Sequence, residues 1–259
     1  MKDSIVILCD VRYFPKHTFY LAEEVAKSFH KPLCLLSLAS DVNDVKAVEA
    51  IHLEWKQQNV QPFLTLCALS PLSALSTILS DMEAAMLFVP LIKNAHSYHI
   101  MPLLRACRGL RIPYIFTKEE NPPSSLKRWL VPVSFLPEEK EKGVIASSFA
   151  RFHGSSVDLL LANDYGTRAV RNAEAIQGLL SKFSVPYQTI KGQKDSFAIQ
   201  QEAVKRASQG EADGVLLTAS REYGVDDLIF GPPERKMIIT SRVPLLFLNP
   251  RSDLYILCG

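Results

Sequence analysis

Cysteine is scarce, and none of it is paired in sequence. Five cysteines make an odd number, and no two stand as Cys-x-x-Cys. This argues against a disulfide framework and a zinc ribbon, and it suits a reducing cytosol. Charge of one sign is lacking too: 29 Lys and Arg face 27 Asp and Glu, a net of +2. Such a balance gives no electrostatic footprint for nucleic acid or an anionic membrane. Glycine (11) and proline (16) are too few for a low-complexity chain of 259 residues, and a hydrophobic share of 47% excludes global disorder. No apolar run reaches the length that spans a bilayer. The first one, Ile5 to Cys9, is stopped by Asp10 and Arg12, too soon for a signal-peptide core. The sequence contains no Gly-x-Ser-x-Gly elbow, Walker loop, His-Glu-x-x-His pair or EF-hand loop. The expectation is a soluble cytoplasmic protein that is not an enzyme.

Short apolar runs alternating with amphipathic stretches are what the sequence does contain. Ile5 to Cys9 predicts a buried strand, and Thr18, Leu21, Ala22, Val25, Ala26 and Phe29 follow at helical spacing. Further strands are predicted at 33–38, 62–67, 85–89 and 112–116. Helices are predicted between them at about 44–58, 72–81 and 98–107, with Val45, Val48, Ile51 and Trp55 on one face of the first. Continuous apolar strands separated by helices imply a parallel sheet covered on both faces.

The polar stretch Lys118 to Ser125, with Pro122 and Pro123 paired inside it, has the composition of a linker. The pattern then restarts. Strands are predicted at 129–133, 157–162, 187–190, 214–218 and 244–248. The intervening helices hold Val144, Ile145, Ser148, Phe149 and Phe152, then Ala169 to Phe183, Phe197 to Ser208 and Glu234 to Ser241. Ile5 answers to Leu130, Met86 to Val215, and Arg111-Ile112-Pro113 to Arg242-Val243-Pro244, an offset of about 125–131 residues. Five strands and four helices therefore recur in one order, as a tandem duplication. Domains are expected at 1–120 and 126–259, the alternative being a single ten-stranded sheet. Leu254 to Leu257 adds strand character beyond the repeat and is expected to cover or extend a sheet edge.

The run Ala212-Asp213-Gly214-Val215-Leu216-Leu217-Thr218-Ala219-Ser220-Arg221, then Tyr223-Gly224, Leu228-Ile229-Phe230-Gly231 and Arg242 to Leu248, resembles the end of a universal stress protein domain. Ile5-Val6-Ile7-Leu8-Cys9-Asp10 is similar to that family's first strand with its terminal Asp. As two tandem copies the resemblance covers nearly the whole chain. It implies flavodoxin-like, doubly wound domains of the adenine nucleotide alpha hydrolase-like type, each a five-stranded parallel sheet in the order 3-2-1-4-5. The ligand crevice would lie at the carboxyl ends of strands 1 and 4, the switch point of an open parallel sheet.

Nucleotide-binding members of that family carry Gly-x2-Gly-x9-Gly-Ser/Thr after strand 4, because glycine admits phosphate to the backbone and free N–H groups take its charge. Laid on this sequence without gaps, the four positions fall on Ala219, Glu222, Pro232 and Pro233. One deletion brings Gly231 to the third position, with Pro232 in place of the hydroxyl residue. The matching stretch of the first half, Pro90 to Tyr98, has no glycine. The acidic residue after strand 1 is present as Asp10 and replaced by Ser134 in the second half. The candidate ligand positions are Asp10, Ser134, Ser220, Arg221, Gly224 and Gly231.

Asp10 would accept a hydrogen bond from a purine or ribose, or else cap the turn that follows it. Arg221, Arg235 and Lys236 would attract an anion, or else form a solvated face offset by Glu222, Asp226, Asp227 and Glu234. His96 and His99 share a helical spacing but no Cys, Asp or Glu nearby completes a metal site, and none is expected. His17, His30, His52 and His153 are expected to be exposed. Cys9, Cys34 and Cys67 fall inside predicted central strands, where cysteine behaves as a small hydrophobe. The expected role is binding or regulation without tight ATP binding and without a cofactor. The alternative is an ATP or other adenosine compound held by the second domain. The expected partners are the chain's own second half, as an internal pseudo-dimer, a further copy of the chain, or an unknown protein, with neither nucleic acid nor membrane.

Overall fold

A computed structural model describes residues 2–58, 63–93, 99–120, 125–220 and 232–251. The chain divides into two compact units, Met1–Pro122 and Pro123–Gly259, and each is described by itself.

The first unit holds β1 (Ile5–Cys9), α1 (Lys16–Ser28), β2 (Leu33–Ala39), α2 (Val42–Gln58), β3 (Leu64–Leu69), α3 (Leu75–Asp81), β4 (Met86–Leu91), α4 (Ile100–Cys107) and β5 (Tyr114–Lys118). Its strand order is β3-β2-β1-β4-β5, every pairing parallel. Ile5 pairs with Leu33 on one side and Met86 on the other. β1 and β2 are buried throughout, as strands covered on both faces must be.

The second unit holds β6 (Arg128–Val133), α5 (Lys142–Ser148), β7 (Ser156–Leu161), α6 (Arg168–Lys182), β8 (Tyr187–Lys191), α7 (Ile199–Ser208), β9 (Gly214–Thr218), α8 (Pro233–Thr240) and β10 (Leu245–Leu248). Its order is β8-β7-β6-β9-β10, again wholly parallel. β6 and β9 meet closely: a methyl group on Gly214 would come within 2.8 Å of the Trp129 ring. Trp129 and Phe149, 4.9 Å apart, anchor the core of this unit.

Within each unit the five strands thus follow the expected order, 3-2-1-4-5.

Several side-chain expectations change. β3 is the outer strand of its order and only half-buried, so Cys67 is not a central-strand residue. His52 turns inward beside Val48 on α2, and burial together with Lys56 lowers its pKa to about 4. His153 is likewise buried, in a π-helical turn, Phe149–His153, that ends at left-handed Gly154. On α5 the inward face is Gly143, Ala146 and Ser147 instead of Val144, which is exposed. Small residues win there because α5 lies tight on α6: a methyl on Gly143 would stand 3.2 Å from Leu179. The expected strand at 254–257 and the linker residues 121–124 lie outside the described residues, as do His96 and Cys258.

Candidate ligand site

Asp10 follows β1 directly and is almost wholly buried. Its Oδ1 accepts the N–H of Arg12 at 2.7 Å, an Asx turn that caps the loop. Its Oδ2 is buried and without a hydrogen-bond partner among the described residues. Nearby, α1 begins after Pro15 with no side-chain cap of its own. Glu119, just past β5, supplies one from across the unit. Its carboxylate accepts the N–H groups of His17 (3.0 Å) and Thr18 (2.9 Å) and the Thr18 hydroxyl (2.6 Å). An internal anion thus stands at the positive end of that helix.

In the second unit an internal carboxylate again holds a backbone N–H, here in the loop after β6. Ser134 follows β6 and is buried. Its N–H donates to Glu139 Oε2 at 3.0 Å, and its own Oγ accepts the Leu136 N–H at 3.3 Å. Asn172 donates to the carbonyls of Ser134 (2.9 Å) and Leu136 (2.8 Å), pinning the loop to α6. The same Glu139 oxygen lies 2.8 Å from the ammonium of Lys142, which also donates to the Pro132 carbonyl at 2.5 Å. Both side chains of that pair are fully buried. Burial pulls the Lys142 pKa down, against the opposing pull of Glu139 and Glu138.

Ser220, two residues past β9, donates its N–H to Glu234 Oε1 at 2.5 Å. Glu234 is buried in the first turn of α8, where its charge meets the helix N-terminus. Pro232 occupies the N-cap of α8 and Pro233 the first helical position. Neither has an N–H to offer.

The structure therefore places Asp10, Ser134 and Ser220 at strand carboxyl ends, Asp10 in the first unit and both serines in the second. Arg221, Gly224 and Gly231 lie outside the described residues. Sequence reasoning missed Glu119, Glu139, Lys142 and Asn172. Glu119 sat in a stretch read as linker, and Glu139 and Lys142 in a charged run, Pro137 to Lys142, that looks solvated. The one available signal was position: each carboxylate lies just past a strand or before a helix. Among the described residues, no group of three or more His, Cys, Asp or Glu side chains is placed to hold a metal ion. No helix among them is long and apolar enough to cross a membrane.

No protein-family model and no curated protein matches the chain. Solved structures do. A universal stress protein from Archaeoglobus fulgidus DSM 4304 superimposes with a TM-score of 0.65 at 11% identity, over 96% of this chain and 98% of that one. PA1789 from Pseudomonas aeruginosa PAO1, a protein of unknown function, gives 0.66 at 14% identity over 96% and 93%. The cytoplasmic domain of a prokaryotic cation chloride cotransporter gives 0.58 at 12% identity over 96% of each chain. At such identities the likeness is one of fold. The chain has the α/β, parallel-sheet fold of universal stress protein-like structures.

Proposed function

We propose that this chain is a universal stress protein-like binding or regulatory protein of the cytoplasm, built as a tandem duplication, that does not turn over a substrate and does not bind ATP tightly. One observation carries the reading. In the second unit the backbone N–H of Ser220, where a nucleotide's phosphates would seek donors, is already held by the chain's own Glu234 at 2.5 Å. An incoming phosphate would have to displace a carboxylate and approach it against like charge. Pro232 and Pro233 remove two further N–H donors at the same helix start. Each hydrogen bond to a charged group contributes about 1.5–3 kcal/mol, so two fewer weaken binding by roughly 10²- to 10⁴-fold. Support for the duplication comes from the two units, each carrying the strand order 3-2-1-4-5. The pairing of the halves as an internal pseudo-dimer is part of this proposal and rests on the duplication alone.

Isothermal titration with Mg-ATP tests it. No saturable heat is expected at low micromolar nucleotide, and a dissociation constant below about 10 µM would overturn the reading. A second reading, an adenosine-type ligand held without phosphate contacts, draws on one observation. Asp10 Oδ2 in the first unit is a buried acceptor with no partner among the described residues. Titration with adenosine separates the two readings, because a signal lost in Asp10→Ala and present without phosphates favours the second.

A further inference from the structure

The amino edge of the second unit holds a cavity that the strand-end crevice does not involve. α7 ends ahead of β9, and α8 ends ahead of Arg242 and β10, so both helix ends lie at the amino ends of these parallel strands. Ser134 and Ser220 stand at the carboxyl ends. The Arg242 N–H donates to Ser208 Oγ at 3.1 Å and ties the segment before β10 to the last residue of α7. Both helices line one cavity of about 460 Å³. Val204 on α7 and Met237 on α8 are buried and give it apolar surface. Lys205, Lys236 and Arg242 also line it, and all three are exposed. No Asp or Glu is among its lining residues.

Helix electrostatics account for one of these cations. Lys205 lies in the last turn of α7, where a positive charge offsets the free carbonyls. α8 has no basic residue in its last turn: Lys236 is the fourth of its eight residues, and Arg242 lies beyond its end. None of the three is paired with a carboxylate among the described residues. Glu202 and Glu211 keep their charge nearby, but both pair with Arg206, at 3.6 and 2.7 Å, and neither lines the cavity. Glu234 is buried at the start of α8 against Ser220.

The first unit carries the corresponding cavity without this charge. It measures about 380 Å³, and Ser76, Glu83 and Arg111 are in its lining. Arg111 answers to Arg242 in the repeat, and Ser76 answers to Lys205 at the Met86–Val215 spacing. Glu83 sets a carboxylate against the one arginine there. The fold thus produces the cavity without needing the lysines, which belong to the second unit alone.

From this cavity we infer a binding site for a compact organic anion with two or more negative charges on an apolar body. The apolar body lies against Val204 and Met237. Its charges meet Lys205, Lys236 and Arg242, whose guanidinium matches a phosphate or carboxylate with two parallel hydrogen bonds. A concave surface lined by one sign of charge concentrates the counter-ion, and the volume is that of a small-molecule site. Three cations gathered on one cavity, in a chain of net charge +2, suit a small ligand better than a long polyanion.

Nuclear magnetic resonance of the isotope-labelled full chain tests this at low salt with naphthyl phosphate. Inorganic phosphate, neutral naphthol and a naphthalene dicarboxylate serve as comparisons. Naphthyl phosphate is expected to saturate at roughly 0.1–1 mM, more weakly as salt rises. Its amide shifts should centre on residues 204–209 and 236–242. Binding of this strength lies outside the low-micromolar range of the Mg-ATP titration, so the two tests read different sites. Inorganic phosphate and naphthol should each bind at least about tenfold more weakly, because each brings half of the recognition. A dicarboxylate bound as tightly as naphthyl phosphate supports the site as a reader of charge from either source, and one bound more weakly supports it as a phosphate site. Lys205→Glu with Lys236→Glu should weaken naphthyl phosphate by about tenfold or more. Both lysines are exposed, so the melting temperature of this double variant should stay near the parent's. Shifts that do not saturate, or that centre on Ser134 and Ser220 at the other edge, overturn the inference. So does an unchanged affinity in the folded double variant, or binding of naphthol or inorganic phosphate as tight as that of naphthyl phosphate.

Discussion

A lysine with no exposed surface is the residue that most constrains the second unit. Lys142 has three hydrogen-bond donors, and the structure gives it the Glu139 carboxylate and the Pro132 carbonyl. The pair does more than balance charge, because the same Glu139 oxygen fixes the Ser134 N–H at the end of β6. Removing one partner leaves the other charge buried and unpaired. Lys142→Met is therefore expected to lower the urea-unfolding free energy by about 3–5 kcal/mol. Glu139→Gln combined with Lys142→Met should recover a large part of that loss, since a neutral amide still accepts the Ser134 N–H. A double variant no more stable than Lys142→Met alone would show that the ion pair does not hold this loop. The pair also illustrates the limit of sequence reading at this scale. Lys142 ends a run of five charged residues, Glu138 to Lys142, that reads as a solvated turn. Only the tertiary fold brings the Pro132 carbonyl within reach.

At the scale of elements, strand burial separates the thiols. Cys9 and Cys34 sit in β1 and β2, strands flanked on both sides, and Cys107 ends the inward face of α4. Burial pushes the Cys34 thiol up to about 11 and raises Cys9 and Cys107 as well, so little thiolate forms near neutrality. Cys67 lies in the half-buried outer strand β3, and burial raises its pKa too, with Glu49 and Asp44 adding to it. Access then decides the order of reaction. In a Cys258→Ser background at mildly alkaline pH, a thiol reagent should modify Cys67 first, and Cys9, Cys34 and Cys107 only as the protein unfolds. Cys9 or Cys34 reacting as fast as Cys67 would contradict the strand order. The elements themselves were largely legible. β1 and β9 match the runs at 5–9 and 214–218, because a continuous apolar run between polar residues has few other uses in a chain of this length. Other ends drift by one or two residues, as at β5 and β10, which start just after Pro113 and Pro244 where the pattern placed them earlier. The outward turn of Val144 and the inward turn of His52 were not legible. Both depend on how closely a neighbouring helix or strand approaches, which hydrophobic spacing does not encode.

At the scale of the molecule, each unit has its own core and its own tryptophan. Trp129 is buried in the second unit, and Trp55 stacks on Phe14 at 3.7 Å in the first. Fragments 1–122 and 123–259 should therefore each fold alone and unfold cooperatively in urea, with tryptophan emission as the readout. Whether the fragments stay apart tests the proposed pseudo-dimer. The last strand of each repeat is apolar: Tyr-Ile-Phe in β5 and Leu-Leu-Phe-Leu in β10. Each also stands last in the strand order of its own unit, and an apolar last strand invites pairing with another chain. A short tether raises the effective concentration of two such strands to about the millimolar range, so a modest intrinsic affinity suffices in the intact chain. Mixed at high micromolar concentration, the fragments are expected to associate in sedimentation velocity, and each alone should self-associate or aggregate more than the parent. Replacing Ile115 would disturb the core, since it is fully buried, so the informative comparison is between fragments and parent at matched concentration. Fragments that fold, remain monomeric and do not combine would remove the pseudo-dimer from the reading while leaving the Glu234–Ser220 argument against ATP untouched.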